Sequence, residues 1–343
     1  MPFLERVTAG RGIPRERLEE VSHHYLALGG VSPINAQNRA LLTAMREEFS
    51  SRKIDLPIYW GNRNSDPYFV DSLREIEADG HHSILAFVTS AYSSYSGCRQ
   101  YRENLAKALT ETELTGRLKI DKIRHYFDHP GFITPFAQGL AKAVDQAITS
   151  GLATADVKIL FTTHSIPDSM ADTSGPIDMR ESHKGGMYVA QHQATAELVA
   201  AHAKQFTDNQ VPQWELVYQS RSGAPTMPWL EPDIGDAIKS AASSGVKGVI
   251  VVPIGFVSDH VEVVWDLDNE AMEIAREHNV FFARVATPGT APVFVTAIAD
   301  LVEERINGGQ KKALSDLGPW ADFCAVGCCP NARADLPTIA QAE

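Results

Sequence analysis

The chain has 343 residues, 44% of them hydrophobic and 22% charged, the make-up of a globular protein long enough for two domains with cores of their own. Its formal net charge of −12, from 31 basic and 43 acidic residues, excludes the basic footprint that nucleic acid or an anionic lipid surface requires. No apolar run reaches the ~20 residues of a membrane span, the opening MPFLERVTAGRG lacks a signal-peptide core, and four cysteines are too few for a secreted disulfide framework, so a soluble cytoplasmic protein is expected.

The first residues, MPFLERV, read as a helix and lead into Arg11-Gly12-Ile13-Pro14. An α/β chain usually begins with a buried strand, so the expectation is a sheet short of one strand or a start placed downstream of the true one. Strand-like runs then recur at Leu56–Trp60, Ser83–Thr89, Leu118–Ile123, Val157–Thr162, Glu215–Tyr218, Gly248–Ile254 and Val280–Val285. Helical patterns lie between them, at Asn35–Glu48, Tyr68–Asp79, Arg99–Leu109, Phe132–Thr149, Met187–Gln205, Pro232–Ser244, Glu262–His278 and Ala291–Arg305. This alternation predicts parallel sheets covered by helices, and the uneven loops favour two doubly wound units over one barrel. The expected division is 1–128, 129–306 and a polar tail, 307–343, with the first boundary at Asp128-His129-Pro130-Gly131.

Chemistry collects where the strands end. Gly248–Ile254 is apolar and β-branched, as a central parallel strand should be, and Pro253 and Gly255 stop it. Ser258 or Asp259 can cap a helix starting near His260. On that helix Glu262, Asp266 and Glu270 fall at i, i+4 and i+8, so three carboxylates share one face with no interleaved Lys or Arg. Like charges at that spacing cost a few tenths of a kcal/mol per pair. A divalent cation passing along the row explains the pattern, and a solvated acidic face is the plainer alternative. Position favours the cation, because open α/β sheets gather ligands at the carboxyl ends of strands.

Other strand ends add to this. The loop from Ser90 to Cys98, with Tyr92, Tyr95 and Gly97, could cradle an anion at a helix start or serve only as a cap. Thr163-His164-Ser165-Ile166-Pro167 places a histidine where a proton acceptor belongs, the alternative being a structural histidine. A base at one strand end and an acidic row at another could face each other across one cleft. Arg221, Trp229, the run Tyr59-Trp60-Gly61-Asn62-Arg63 and Tyr126-Phe127 supply aromatic and cationic groups suited to a large flat anionic ligand. Cys324, Cys328 and Cys329 suit a thiolate-bound metal or an iron–sulfur site, or are thiols without a role.

These residues resemble the ferrochelatase family, in its Gram-positive, actinobacterial-type branch. The likeness runs from Arg11 to about Arg305. It rests on Gly29-Gly30-Val31-Ser32-Pro33-Ile34-Asn35, Thr163-His164-Ser165-Ile166-Pro167, Trp229-Leu230-Glu231-Pro232 and Gly255-Phe256-Val257-Ser258-Asp259-His260-Val261-Glu262. The resemblance implies two similar Rossmann-like domains, each a doubly wound, parallel four-stranded sheet, with the active site in the cleft between them. It implies a lyase of haem biosynthesis that inserts Fe2+ into a porphyrin without ATP. His164 matches the histidine credited with metal binding or with taking the pyrrole protons. Glu262 matches its carboxylate partner on the opposite wall, and Asp266 and Glu270 match an acidic row proposed to conduct metal or protons. Arg11, Ser32, Tyr92, Tyr95, Phe127, Trp229 and His260 are the implied porphyrin contacts.

The branch acts on coproporphyrin III, whose four propionates suit the Arg and Ser groups, while other members act on protoporphyrin IX. Many relatives in the branch hold a 2Fe–2S cluster on three tail cysteines and a fourth that aligns near Ser174. Serine stands there in this chain, and nothing in the resemblance marks Cys98 as a ligand. Family members carry a strand and a Gly-Gly-Pro-type turn before the segment matching MPFLERV, and neither has a counterpart here. A monomer with transient contacts to other haem-pathway enzymes is expected. A cobalt or nickel chelatase of the same fold and a non-catalytic tetrapyrrole carrier are the competing readings. Insertion itself requires a flat macrocycle to be bent and to lose two protons, which a site complementary to the bent form promotes. A neutral His and a carboxylate on opposite faces would then take protons on one side and pass metal on the other.

Overall fold

The computed structural model describes Glu5, residues 15–222 and residues 226–341, and builds them on two parallel sheets. In the first, β1 (Ser83–Ala86) pairs with β2 (Lys119–Lys122), Ser83 opposite Lys119 and Ala86 opposite Lys122. The second contains β3 (Val157–His164), β4 (Gln213–Gln219), β5 (Gly248–Val252) and β6 (Phe281–Arg284) in the order β4-β3-β5-β6. Every residue of β5 is buried, and Ile159, Leu160 and Phe161 of β3 are fully so, as expected for β-branched and aromatic runs covered on both faces. The fold is thus α/β with parallel sheets.

The first sheet differs from the expected four strands: among the described residues it has two. Leu56–Trp60 has no regular secondary structure and joins no ladder. Pro57 has no N–H to give, the Ile58 carbonyl is taken by the Arg46 guanidinium at 2.9 Å, and the Trp60 carbonyl by the Ser72 hydroxyl at 2.8 Å. A helix that the apolar pattern did not predict, Arg15–Ala27, precedes the Gly29-Gly30 turn. Its sequence is mostly polar, and Leu18 is its buried anchor among the described side chains.

One hydrophobic core spans both sheets. It joins Leu41, Met45 and Phe49 of helix Ile34–Arg52 to Phe132, Phe136 and Leu140 of helix Pro130–Thr149. It continues through Phe161 and Ile250 to Phe294 and Ile298 of helix Pro292–Asn307. Burying each such side chain contributes roughly 1.5–3 kcal/mol. Polar ties cross the same boundary. The Ser93 amide donates to Gln191 Oε1 at 2.7 Å, and Thr195 Oγ1 to the Phe127 carbonyl at 3.1 Å. Arg124 holds Glu304 through two bonds of 2.7 and 2.9 Å, both residues buried.

The tail beyond Asn307 has little regular structure but is pinned throughout. Trp320 is buried and stacks on His125, Leu314 donates its N–H to the Asp128 carbonyl at 3.1 Å, and Arg102 donates to the Ile339 carbonyl at 2.8 Å. Among the described residues no helix is long and apolar enough to cross a membrane.

Candidate active site

The carboxyl ends of β3 and β5 lie side by side, because the two strands pair in parallel from Val157–Gly248 to Phe161–Val252. His164 closes β3. Beyond β5 the chain turns at Gly255, where a Cβ would stand 2.1 Å from Thr163 Oγ1, so only glycine lets the loop pack this tightly against β3. The loop then delivers His260, whose Nδ1 accepts the Val263 N–H at 3.4 Å and caps the helix Val261–Trp265.

His164 Nε2 stands 3.7 Å from Glu262 Oε2, and His260 Nδ1 stands 4.0 Å from the same oxygen. The two rings are held in opposite tautomers. His164 Nδ1 donates to the Ser165 carbonyl, which can only accept, so in the neutral ring the free lone pair is on Nε2, the nitrogen nearest Glu262. His260 accepts at Nδ1, so its proton lies on Nε2. Burial, opposed by the nearby Glu262 charge, holds His260 below the usual imidazole range. Behind His164 the buried Tyr188 hydroxyl donates to its main-chain carbonyl at 2.7 Å and meets Thr163 Oγ1 at 2.9 Å, fixing the strand end.

A planar ring between two groups needs about 3.5 Å of van der Waals space on each side, and the His164–Glu262 gap is 3.7 Å in all, so the two side chains stand next to each other in this structure.

The acidic row also departs from a single regular helix. Val261–Trp265 is followed by a π-helical turn, Asp266–Ala271, and then by Met272–Glu277. Glu262 is half exposed. Asp266 lies deeper, accepting from the Ser220 hydroxyl and from Gln219 Nε2 at 3.4 Å. Burial first, then the charges of Glu262 and Glu270, push its carboxyl up to about 7. Glu270 lies within the wider turn, and its Oε1 accepts the Trp265 indole N–H at 2.8 Å.

The remaining expected residues sort by burial. Ser32 lies beside the site: its Oγ accepts the Ile34 N–H at 3.4 Å, and Gln37 on the same helix accepts the Asp259 N–H at 2.8 Å. Trp229 pairs its main chain with Pro167, next to the His164 loop. Tyr92 and Phe127 are core residues instead of pocket walls, at 3% and 0% exposure; Tyr92 stacks on His192 at 3.6 Å and donates to the Ile254 carbonyl at 2.8 Å. Tyr95 points toward the tail, donating to Glu103 at 3.2 Å, which also accepts from Asn331 at 3.1 Å. Arg11 lies outside the described residues. The unexpected member is Tyr25. Burial, with the Glu262 charge beside it, raises its phenol to about 12, and its neighbour His24 stacks on Trp265 at 4.3 Å. The His-His-Tyr triplet carried that signal, but only the fold brings it to Glu262.

A second constellation forms at the tail. Cys98, Cys324, Cys328 and Cys329 are all buried and make one cluster. Cys98 Sγ lies 3.8 Å from Cys324 Sγ, and Cys328 Sγ lies 3.7 Å from Cys329 Sγ. Hydrogen bonding from Cys328 and Cys98, with Lys122 and Arg102 nearby, holds the Cys324 thiol well below its usual range. Cys329 Sγ accepts the Gly175 N–H at 3.1 Å. Ser174, which stood for the fourth cysteine, turns its hydroxyl elsewhere, donating to the Ala171 carbonyl and accepting the Tyr188 N–H, both at 2.6 Å. Among the described residues, no group of three or more His, Cys, Asp or Glu has the arrangement of a site for a single metal ion.

Comparison with known proteins gives the likenesses of the whole chain. The family profile described as Ferrochelatase matches residues 1–306. The coproporphyrin III ferrochelatase of Leifsonia xyli subsp. xyli is 54% identical, over 99% of this chain and 89% of that protein. The coproporphyrin III ferrochelatase of Streptomyces griseus subsp. griseus is 51% identical, over 100% of this chain and 92% of its own length. Among solved structures, SirB from Bacillus subtilis with Fe3+ aligns with a TM-score of 0.49 at 11% identity, covering 81% of this chain and 94% of that one.

Proposed function

This chain belongs to the ferrochelatase family, and from that premise we propose that it inserts Fe2+ into coproporphyrin III to give coprohaem. The observation that carries the site assignment is the lone-pair nitrogen of His164, Nε2, standing 3.7 Å from Glu262. Two acceptors side by side can take pyrrole protons or receive the incoming ion from one face of the ring. Asp266 continues that path inward, while Glu270, tied to Trp265, marks its outer end. Ser32 and Trp229 line the approach. We place the units at 1–128 and 129–306, with 307–343 as a tail closing against both, in a monomeric cytoplasmic enzyme whose contacts with other haem-pathway enzymes are transient.

The test is anaerobic insertion measured with coproporphyrin III and protoporphyrin IX side by side. Coproporphyrin III is expected to turn over at least about tenfold faster per encounter, because buried carboxylate recognition discriminates on that scale. Equal rates would overturn the substrate assignment, and porphyrin binding without any insertion would favour a carrier.

We further propose that the four thiols hold a 2Fe–2S cluster. Two thiolates sharing one tetrahedral ion at ~2.3 Å stand about 3.8 Å apart, the separation within each pair here. The Gly175 N–H and the two nearby cations suit a buried, charged cluster. Cys98 replaces Ser174 as the expected fourth ligand, and such a cluster would tie the tail to the Ser90–Cys98 loop. Anaerobically purified protein is expected to carry about two irons and visible absorbance, both lost in Cys98→Ser. A colourless, iron-free wild type would sink the assignment.

A further inference from the structure

The acidic row is held by a residue that makes no contact with it. Arg284, the last residue of β6, lies beside β5 and pairs with Val251. Its guanidinium takes two carboxylates at once. Nε and one terminal nitrogen reach Asp268 at 2.5 and 2.9 Å, and both terminal nitrogens reach Asp259 at 3.2 Å. The Arg284 side chain is 15% exposed.

The placement of the two partners is the informative part. Asp259 immediately precedes His260, and Asp268 sits inside the π-helical turn that follows Asp266. His260, Glu262 and Asp266 therefore lie on a short span of chain stapled at both ends to one guanidinium. Asp259 is fixed further by the Thr287 hydroxyl at 3.1 Å and by its own N–H on Gln37. Just past the span, Asn269 Nδ2 donates back to the Val264 carbonyl at 3.2 Å, a side-chain bond across the start of the wide turn. A π turn is a costly local geometry that persists where its surroundings hold it, and the bidentate bond to Asp268 is such a hold.

We propose that Arg284 is a positioning residue for metal delivery: by clamping Asp259 and Asp268 it fixes the register in which Glu262 and Asp266 face the incoming ion. The inference rests on the reading of that row as the metal path. It predicts a defect that falls chiefly on metal, since Ser32, Trp229 and His164 are held by other elements and His260, the implied porphyrin contact within the span, keeps its own cap on the Val263 N–H.

The experiment is Arg284→Lys in full-length protein, with initial rates measured anaerobically against ferrous iron and separately against coproporphyrin III. Lysine keeps the charge but cannot hold two carboxylates in bidentate fashion. The KM for iron is expected to rise at least about tenfold, the scale on which residues that orient metal ligands act, with the KM for porphyrin unchanged. A purely structural role would lower the melting temperature and leave that split absent, which overturns the proposal. If Arg284→Lys does not fold, Asp268→Asn releases one arm of the clamp and is expected to show the same split. Asp266→Ala separates the two ideas. A raised iron KM in both variants supports both; a rise in Asp266→Ala alone overturns the role of Arg284; no rise in either overturns the metal-path reading and Arg284 with it.

Discussion

Replacing Glu262 by glutamine is expected to slow iron insertion by about two to four orders of magnitude, the range that a positioned proton acceptor contributes. The substitution preserves shape and removes charge. Glu262 is the carboxylate shared by His164 at 3.7 Å and His260 at 4.0 Å, and its charge also acts on Asp266 and Tyr25. Among the described residues it is the carboxylate that both histidines approach within 4.0 Å. Because Glu262 is half exposed, stability should hardly move. The check is single-turnover insertion beside porphyrin affinity by fluorescence quenching. Lost turnover with intact affinity is the expected pair of results, and turnover within threefold of wild type would remove Glu262 from the chemistry.

His164→Ala is expected to be nearly as severe, about a thousandfold in turnover, for a different reason. The side chain is a third exposed and anchored by one bond to the Ser165 carbonyl, and its main chain is held independently by Tyr188. Truncation should therefore remove the Nε2 lone pair without disturbing the strand end. Added imidazole offers a sharper test than rate alone, since a small base entering the vacated space should restore part of the activity. No rescue, with porphyrin binding also lost, would mean that His164 shapes the pocket and handles neither proton nor metal.

How much of this was legible depends on the range of the interactions. The strands β3 and β5 announce themselves by local apolar, β-branched runs, and both site-bearing ends follow from Gly255 and from the residues after Thr163. The π turn left a trace that a single long helix hides. Val263, Leu267, Ala271 and Ala275 are buried and recur every four residues. That repeat is longer than the 3.6 of an α-helix, so a regular helix would rotate the stripe out of the core, and one wide turn absorbs the drift. The first sheet was over-read because Leu56–Trp60 has the composition of a strand, whereas a ladder needs a neighbour. Cys98 and Arg284 were invisible for a third reason. Their partners lie 226 residues away in the first case and at the two ends of a helical span in the second, and no local pattern encodes such meetings. Tyr92 and Phe127 illustrate the converse: aromatic residues next to site loops look like pocket walls until packing shows them facing inward.

The continuity of the core across the two sheets decides where compliance can reside. A hinge between the halves would have to part Phe132 and Phe136 from Phe161 and Ile250, break the Arg124–Glu304 pair and uncouple Ser93 from Gln191 all at once. Exposing the buried ion pair alone costs several kcal/mol. The two halves are therefore stiffly joined, and helix Arg15–Ala27, lodged by Leu18 and meeting the site residues through His24 and Tyr25, is the more lightly held part. If a flat macrocycle binds there, as proposed, the change of shape is expected in the macrocycle and not in the frame around it.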